Sequence, residues 1–153
     1  MSEKMRGAIF NALGDLGGLK VLDAYAGSGA LGLEAISRGA TRVVAIDGDK
    51  SAYTTILRNA RALGVQTSVQ AHCMNVRTWV QGHTSHRFDV IFADPPYDDV
   101  KPDVIQDVAT LLVSGGVLVL SLPPSNGELA MPPNVQLVQH KSYNDAQLWF
   151  YTS

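Results

Sequence analysis

Short apolar runs alternate with helix-like stretches along most of this 153-residue chain. The apolar runs occupy residues 21–26, 42–46, 88–93 and 116–121 and consist largely of Val, Ile, Leu and Ala. Strands that are apolar at nearly every position are buried on both faces, which is typical of parallel sheets covered by helices. The alternation therefore predicts an α/β fold, a Rossmann-like sandwich with a mostly parallel sheet and right-handed crossovers.

Amphipathic stretches fill the intervals between these runs. Apolar side chains recur there every three or four residues, as on one face of a helix, and a glycine follows each of the three later stretches. The predicted helices span residues 3–13, 30–38, 50–63 and 102–112.

The last third of the chain has a different pattern. Residues 135–138 and 147–151 resemble strands, and no helix-like stretch separates them. Residues 143–145 contain Asn and Asp, which favour turns. We therefore expect a C-terminal antiparallel hairpin, so that the sheet is not entirely parallel.

Composition limits the class of protein. Hydrophobic residues make up 46% and charged residues 17% of the chain, which is typical of one globular domain over residues 1–153. The formal net charge of -2 excludes nucleic-acid binding driven by overall charge. A single cysteine, Cys73, and no zinc-ligand spacing predict neither a disulfide nor a metal site. Since no apolar run reaches about 18 residues, we expect no membrane partner. We also expect a cytoplasmic location and a monomer.

A glycine-rich loop follows the first predicted strand. The loop, Tyr25-Ala26-Gly27-Ser28-Gly29, allows the backbone to turn tightly and to approach a ligand closely. The spacing of Gly27, Gly29 and Gly32 also matches the dinucleotide fingerprint. Asp23 precedes it, and a carboxylate there would repel a pyrophosphate but suits the sulfonium and ammonium charges of S-adenosylmethionine. A helix or turn cap is the alternative role for Asp23.

Asp47 ends the second predicted strand and is followed by Gly48. A carboxylate about 20 residues past the loop can accept both ribose hydroxyls of an adenosine. A dinucleotide and S-adenosylmethionine both contain an adenosine. Asp47 therefore predicts an adenosine site without deciding which reaction is catalysed. A solvated turn aspartate is the structural alternative.

The segment Asp94-Pro95-Pro96-Tyr97 follows the apolar run 88–93. Two prolines hold the backbone extended and leave both carbonyls free to accept hydrogen bonds. Acceptors from Asp94 and the Pro95 carbonyl would localise the lone pair of an aromatic exocyclic amine, and Tyr97 would stack on the base. The segment predicts methyl transfer to the amine of an unpaired or flipped-out base.

Together these segments resemble the RsmD family of 16S ribosomal RNA guanine methyltransferases. The stretch from Asp23 to Ala40 with residues 94–97 carries the resemblance, and residues 4–13, Asp49-Lys50 with Asn59, and residues 143–145 add to it. The resemblance implies a class I methyltransferase fold with seven strands and S-adenosylmethionine as donor without a metal. It also implies the 2-amino group of a guanine in ribosomal RNA, in a small subunit or an assembly intermediate, as acceptor.

Two features depart from the family pattern. Family members usually begin with a basic β-rich arm, whereas this chain starts almost at the first helix, so we expect either that the arm is absent or that the chain is truncated. Where the family often has an aspartate that faces the adenine amine, this chain has Asn75, whose amide oxygen accepts a weaker hydrogen bond.

Other functions stay open on the sequence. An NAD-dependent oxidoreductase would use the glycine loop but would leave Asp23 and residues 94–97 without a role. A catalytically silent cofactor-binding homologue would explain Asn75 and the missing arm. Adenine in DNA or RNA, or a protein glutamine, would accept a methyl group by the same chemistry.

Overall fold

The computed structural model describes residues 1–153, which form five helices and seven strands. In chain order these are α1 (Glu3–Leu13), β1 (Lys20–Asp23), α2 (Ala30–Ser37), β2 (Arg42–Asp47), α3 (Lys50–Ala62), β3 (Val69–Cys73), α4 (Val76–Gly82), β4 (Phe88–Ala93), α5 (Pro102–Ala109), β5 (Leu112–Leu122), β6 (Gln136–Ser142) and β7 (Gln147–Thr152).

All seven strands belong to one sheet in the order β3-β2-β1-β4-β5-β7-β6. Strands β1 to β5 are parallel, and β7 runs antiparallel to both β5 and β6. The predicted α/β sandwich with a C-terminal antiparallel hairpin is therefore confirmed. The strand order reverses between β1 and β4, which is where ligands bind in open parallel sheets.

Two apolar layers cover the sheet, because successive side chains of a strand point to opposite faces. In β1, Val21 packs into the layer of α1, α2 and α3, whereas Leu22 packs into the layer of α4 and α5. Both residues are completely buried. This double burial explains why the central strands are apolar at nearly every position. None of the five helices has the length and the apolar character that crossing a membrane requires.

Several predicted boundaries were wrong. The first strand ends at Asp23 and not at residue 26, because the chain turns at Ala24 and Tyr25 to begin the glycine loop. The last predicted helix ends at Ala109, and Leu112 already begins β5. Leu112 therefore pairs with Phe88 of β4 instead of continuing a helical face.

Helix α4 was absent from the predicted elements. It has only seven residues, and its start is fixed by the Asn75 side chain, which accepts a hydrogen bond from the Thr78 amide at 2.8 Å. Its buried side chains, Val76, Trp79 and Val80, pack on the sheet. So short a helix forms because of this packing and not because of its own propensity.

Gly32 allows α2 to lie close to the sheet. A Cβ atom at this position would lie 2.8 Å from Val43 Cγ1, on a buried side chain of β2. We expect Gly32→Ala to destabilise the fold by about 1–3 kcal/mol, since overpacking exceeds the gain in helix propensity. Urea denaturation would measure the change.

Gly7→Ala in α1 is the matched control for this substitution. A Cβ there meets nothing within 4 Å, and the position is exposed. We expect this variant to gain up to about 1 kcal/mol from helix propensity alone. Equal effects of the two variants would contradict the close-packing argument.

Candidate active site

A cavity of about 920 Å³ opens at the carboxyl ends of β1, β2 and β4. This volume is at the upper end of the range usual for small-molecule sites. The predicted residues that line it are Tyr25, Ala26, Gly27, Ser28, Asp47, Gly48, Asn75, Asp94, Pro95, Pro96 and Tyr97. The fold therefore places the glycine loop, the turn at Asp47-Gly48 and the proline segment 94–97 around one cavity. Asp23 and Gly29 do not line it.

The glycine loop has the backbone conformation that its sequence predicts. Gly27 and Gly29 have φ angles of 57° and 84°, which side-chain-bearing residues rarely adopt. The Asn59 side chain of α3 donates to the Ser28 carbonyl at 3.1 Å. This hydrogen bond from α3 therefore holds the loop in place, and residues 25–28 of the loop line the cavity.

Asp47 connects this loop to the turn that follows β2. Its Oδ2 accepts a hydrogen bond from the Gly27 amide at 2.9 Å, and its Oδ1 accepts one from the Asp49 amide at 2.9 Å. A carboxylate oxygen has room for two hydrogen bonds, so each oxygen keeps one position open. Two open positions on one fixed carboxylate fit the two vicinal hydroxyls of a ribose.

Asp23 lies beneath the loop, with only 1% of its surface exposed. Its Oδ2 accepts a hydrogen bond from the Gly32 amide in the first turn of α2 at 3.2 Å. Burial raises the pKa of Asp23 from its ordinary 3.8 to about 7, with a smaller contribution from the charge of Asp94. The structure thus gives Asp23 the capping role, and it does not bring the carboxyl into the wall that a ligand would touch.

The raised pKa of Asp23 predicts how stability depends on pH. The folded protein retains this proton between about pH 4 and 7, where the unfolded chain loses it. Protonated Asp23 therefore contributes fully to the free energy of unfolding at low pH. This stabilising contribution is lost as the pH rises towards 7. We expect Asp23→Asn to flatten this decline in urea denaturation at several pH values. Asp107→Asn, at an exposed position of α5, is the control, and parallel profiles for Asp23→Asn and the wild type would contradict the assignment.

Asn75 lies at the cavity beside Gly48, whose Cβ position would be 3.9 Å from Asn75 Cα. Its amide oxygen is already engaged as the cap of α4, where it accepts from the Thr78 amide. This oxygen has a second lone pair, so the expectation that it accepts from an adenine amine stays a prediction. The side-chain nitrogen has no partner in the protein, which makes Asn75 a potential donor to a ring nitrogen.

The segment 94–97 begins directly after β4 and forms another part of the wall. The Pro96 carbonyl accepts a hydrogen bond from the Asp99 amide at 3.0 Å, so the expectation that both proline carbonyls stay free was wrong. The Pro95 carbonyl has no partner within the protein. Tyr97 keeps 39% of its surface exposed, and its ring is accessible from the cavity.

Burial raises the pKa of the Asp94 carboxyl. The amino terminus of the chain and a hydrogen bond from Ser121 oppose this rise. A partly desolvated carboxylate is a stronger hydrogen-bond acceptor than one in water. Asp94 and the Pro95 carbonyl therefore supply two acceptors side by side in the wall, beside an accessible aromatic ring.

Ser121 is a residue of this site that the sequence reasoning missed. Its Oγ lies 2.5 Å from Tyr97 Oη. The signal was a single polar residue at the end of the apolar run 116–121. Arg6 of α1 and Asp145 between β6 and β7 also line the cavity, and neither was predicted.

A scan against protein-family models matches residues 1–152 to the family described as Conserved hypothetical protein 95. The Ribosomal RNA small subunit methyltransferase D of Escherichia coli K12 is 26% identical over 147 residues, which cover 92% of this chain and 72% of that protein. A protein of the same name from Buchnera aphidicola is 27% identical over 137 residues, which cover 86% of this chain and 70% of that protein.

Solved structures share the fold. A conserved hypothetical protein of Streptococcus pyogenes superposes with a TM-score of 0.88 at 28% identity, covering 97% of this chain and 94% of that one. The ribosomal protein L11 methylase of Lactobacillus delbrueckii has a TM-score of 0.80 at 19% identity, covering 97% and 77%, and so shares the fold alone. The chain therefore belongs to the Conserved hypothetical protein 95 family, the RsmD-type methyltransferases.

Proposed function

We propose that this protein is an S-adenosylmethionine-dependent methyltransferase that methylates the 2-amino group of a guanine in small-subunit ribosomal RNA. The observation that carries the proposal is the meeting of the glycine loop, Asp47 and Asp94 around one cavity. We further propose that residues 1–153 act as one domain, as a monomer in the cytoplasm and without a metal.

The cofactor would lie along the glycine loop. Asp47 offers its two remaining acceptor positions to the ribose hydroxyls, and the Asn75 side-chain nitrogen can donate to the adenine ring. The backbone of residues 25–28 would follow the methionine portion, and Asp23 would support the loop from below. S-adenosylmethionine supplies an electrophilic methyl group on a sulfonium.

The acceptor base would lie against Tyr97. Tyr97 lines the cavity and is partly exposed, so a base could stack on its ring, a contact worth about 1–3 kcal/mol. The base must be unpaired or flipped out of a helix to reach this position.

Asp94 and the Pro95 carbonyl would accept hydrogen bonds from the exocyclic amine. The lone pair of such an amine is delocalised into the ring, which makes it a poor nucleophile. Two acceptors aimed at its hydrogens favour a pyramidal nitrogen and localise the lone pair for attack. Holding the reactants in this geometry supplies a large part of the rate.

Ribosomal RNA and the guanine amine are supported by different observations. The relatives from Escherichia coli and Buchnera aphidicola are both named as methyltransferases of small-subunit ribosomal RNA. The guanine comes from the resemblance of residues 23–40 and 94–97 to the RsmD family. An adenine or a glutamine amide would be activated by the same pair of acceptors.

The test is transfer of a labelled methyl group from S-adenosylmethionine to small ribosomal subunits and to naked ribosomal RNA. Digestion to nucleosides and mass spectrometry should identify N(2)-methylguanosine. A methylated adenosine would retain the enzyme class but overturn the acceptor. Calorimetric binding of S-adenosylmethionine without transfer to any RNA would indicate a silent homologue, and no binding at millimolar concentration would overturn the proposal.

A further inference from the structure

Ser121 is unusual among the buried residues. Its surface is 1% exposed, and only two other polar or charged residues, Asp23 and Gln147, are buried to a similar degree. A buried hydroxyl is costly unless it is hydrogen-bonded. Its place in an otherwise apolar half of β5 therefore requires a partner.

Strand register places this hydroxyl beside the proline segment. Ala93 of β4 pairs in parallel with Leu120 of β5, so the next residues along each strand, Asp94 and Ser121, are neighbours at the carboxyl edge of the sheet. Tyr97 returns over the same edge, and its Oη lies 2.5 Å from Ser121 Oγ. Ser121 is therefore a neighbour of both Asp94 and Tyr97, which line the cavity.

The chemistry of the three groups fixes the direction of the hydrogen bonds. An ionised carboxylate only accepts, and Ser121 lowers the pKa of the neighbouring Asp94 carboxyl, so the single Ser121 proton would be directed to Asp94. A lone pair of Ser121 Oγ then accepts the phenolic proton of Tyr97. The order of donation would then be Tyr97 to Ser121 to Asp94, and both hydroxyl protons would be used.

We propose that Ser121 is a positioning residue that fixes the Asp94 carboxylate and the Tyr97 ring relative to one another, a role that depends on the methyltransferase function proposed above. Its proton occupies one side of the carboxylate and leaves the remaining lone pairs for the amine of the acceptor. Its lone pair holds the far end of the tyrosine ring, so that the stacking face has one orientation. Ser121 itself does not touch the reacting atoms.

Replacing the hydroxyl tests this role in the active protein. We expect Ser121→Ala to lower kcat for methyl transfer about tenfold to a hundredfold, as small misplacements of reacting groups do. The dissociation constant for S-adenosylmethionine should stay within twofold. Ser121 is not among the residues proposed to bind the cofactor, which are the glycine loop, Asp47 and Asn75. Ser125→Ala, an exposed position in the loop after β5, is the matched control and should retain the wild-type kcat.

Tyr97→Phe keeps the ring and removes the phenolic donor. If Tyr97 acts through its hydrogen bond to Ser121, the fold-loss of kcat in Ser121→Ala/Tyr97→Phe is smaller than the product of the two single fold-losses. Independent, multiplicative effects of the two substitutions would overturn the proposal that Tyr97 acts through Ser121. Ser121→Cys retains the volume of the side chain with a weak donor, and this variant replaces Ser121→Ala in the same comparisons if the alanine variant fails to fold.

The titration of Asp94 gives a readout without cofactor or RNA. Asp23 of β1, the amino terminus of the chain and Tyr97 are the titratable groups around this carboxyl, and all are retained in Ser121→Ala. Loss of the Ser121 donor should raise the pKa of Asp94, measured by ¹³C NMR of labelled aspartate and assigned with Asp94→Asn. The acid limb of the kcat profile should move to higher pH in parallel.

The outcomes separate the two proposals. An unchanged Asp94 pKa in Ser121→Ala, or wild-type kcat in that variant, would overturn the role of Ser121 while the methyltransferase function stands. A wild-type protein that transfers no methyl group would overturn the proposed function. In that case the titration still decides whether Ser121 donates to Asp94, and an unchanged pKa would overturn that contact as well.

Discussion

Asp94→Ala is expected to lower kcat for methyl transfer by at least 10²- to 10³-fold, the scale seen when one group that stabilises a transition state is removed. The carboxylate is one of the two acceptors proposed for the amine, and the other is the Pro95 carbonyl. Binding of S-adenosylmethionine should change little, because Asp47 and the glycine loop are intact. Single-turnover transfer of labelled methyl groups and calorimetry would measure the two quantities separately.

Asp98→Ala is the matched control for this substitution. Asp98 is an exposed carboxylate four residues along the chain and does not line the cavity. Asp94→Asn should fall between the wild type and the alanine variant, since one acceptor oxygen remains. Wild-type turnover in Asp94→Ala would remove the carboxylate from the reaction and leave the glycine loop as a cofactor site without an assigned catalyst.

The second large effect is expected from Asp47→Ala, which should weaken binding of S-adenosylmethionine and S-adenosylhomocysteine by at least about a hundredfold. A hydrogen bond to a charged group contributes about 1.5–3 kcal/mol, and two such bonds to the ribose are lost. The substitution also leaves the amides of Gly27 and Asp49 without their acceptors, so the loop becomes less ordered.

Calorimetry with S-adenosylhomocysteine measures this loss without turnover. Asp47→Asn should lose less affinity, because one oxygen is retained. Asp107→Ala, on the exposed face of α5, should bind as the wild type does. An unchanged dissociation constant in Asp47→Ala would place the ribose elsewhere and would undermine the proposed orientation of the cofactor.

The outline of the site could be predicted from the sequence. Gly27, Asp47 and Asp94 each follow a buried apolar run, and the carboxyl ends of parallel strands meet at one edge of a sheet. The structure confirms that the three segments surround one cavity. The chain-local features of the loop, such as positive φ at Gly27 and Gly29, follow from the residue types.

The sequence did not decide which hydrogen-bond partners these groups have, and for Asp23 it left both a ligand and a helix cap open. Asp23 is turned under the loop to the Gly32 amide, the Asn75 oxygen is used by α4, and the Pro96 carbonyl is used by Asp99. Each of these contacts depends on the exact path of the backbone after a strand ends. A residue type states what a side chain can donate or accept, but not which neighbour uses it.

The sequence by itself determined the alternation of strands and helices, the antiparallel hairpin at the end, and the segments that face a ligand. Those features depend on local periodicity and on residues whose backbone preferences are strong, such as glycine and proline. Only the tertiary structure decided that Ser121 of β5 stands beside Asp94 and Tyr97. That neighbourhood depends on strand order and register, which are set by packing between residues far apart in the chain.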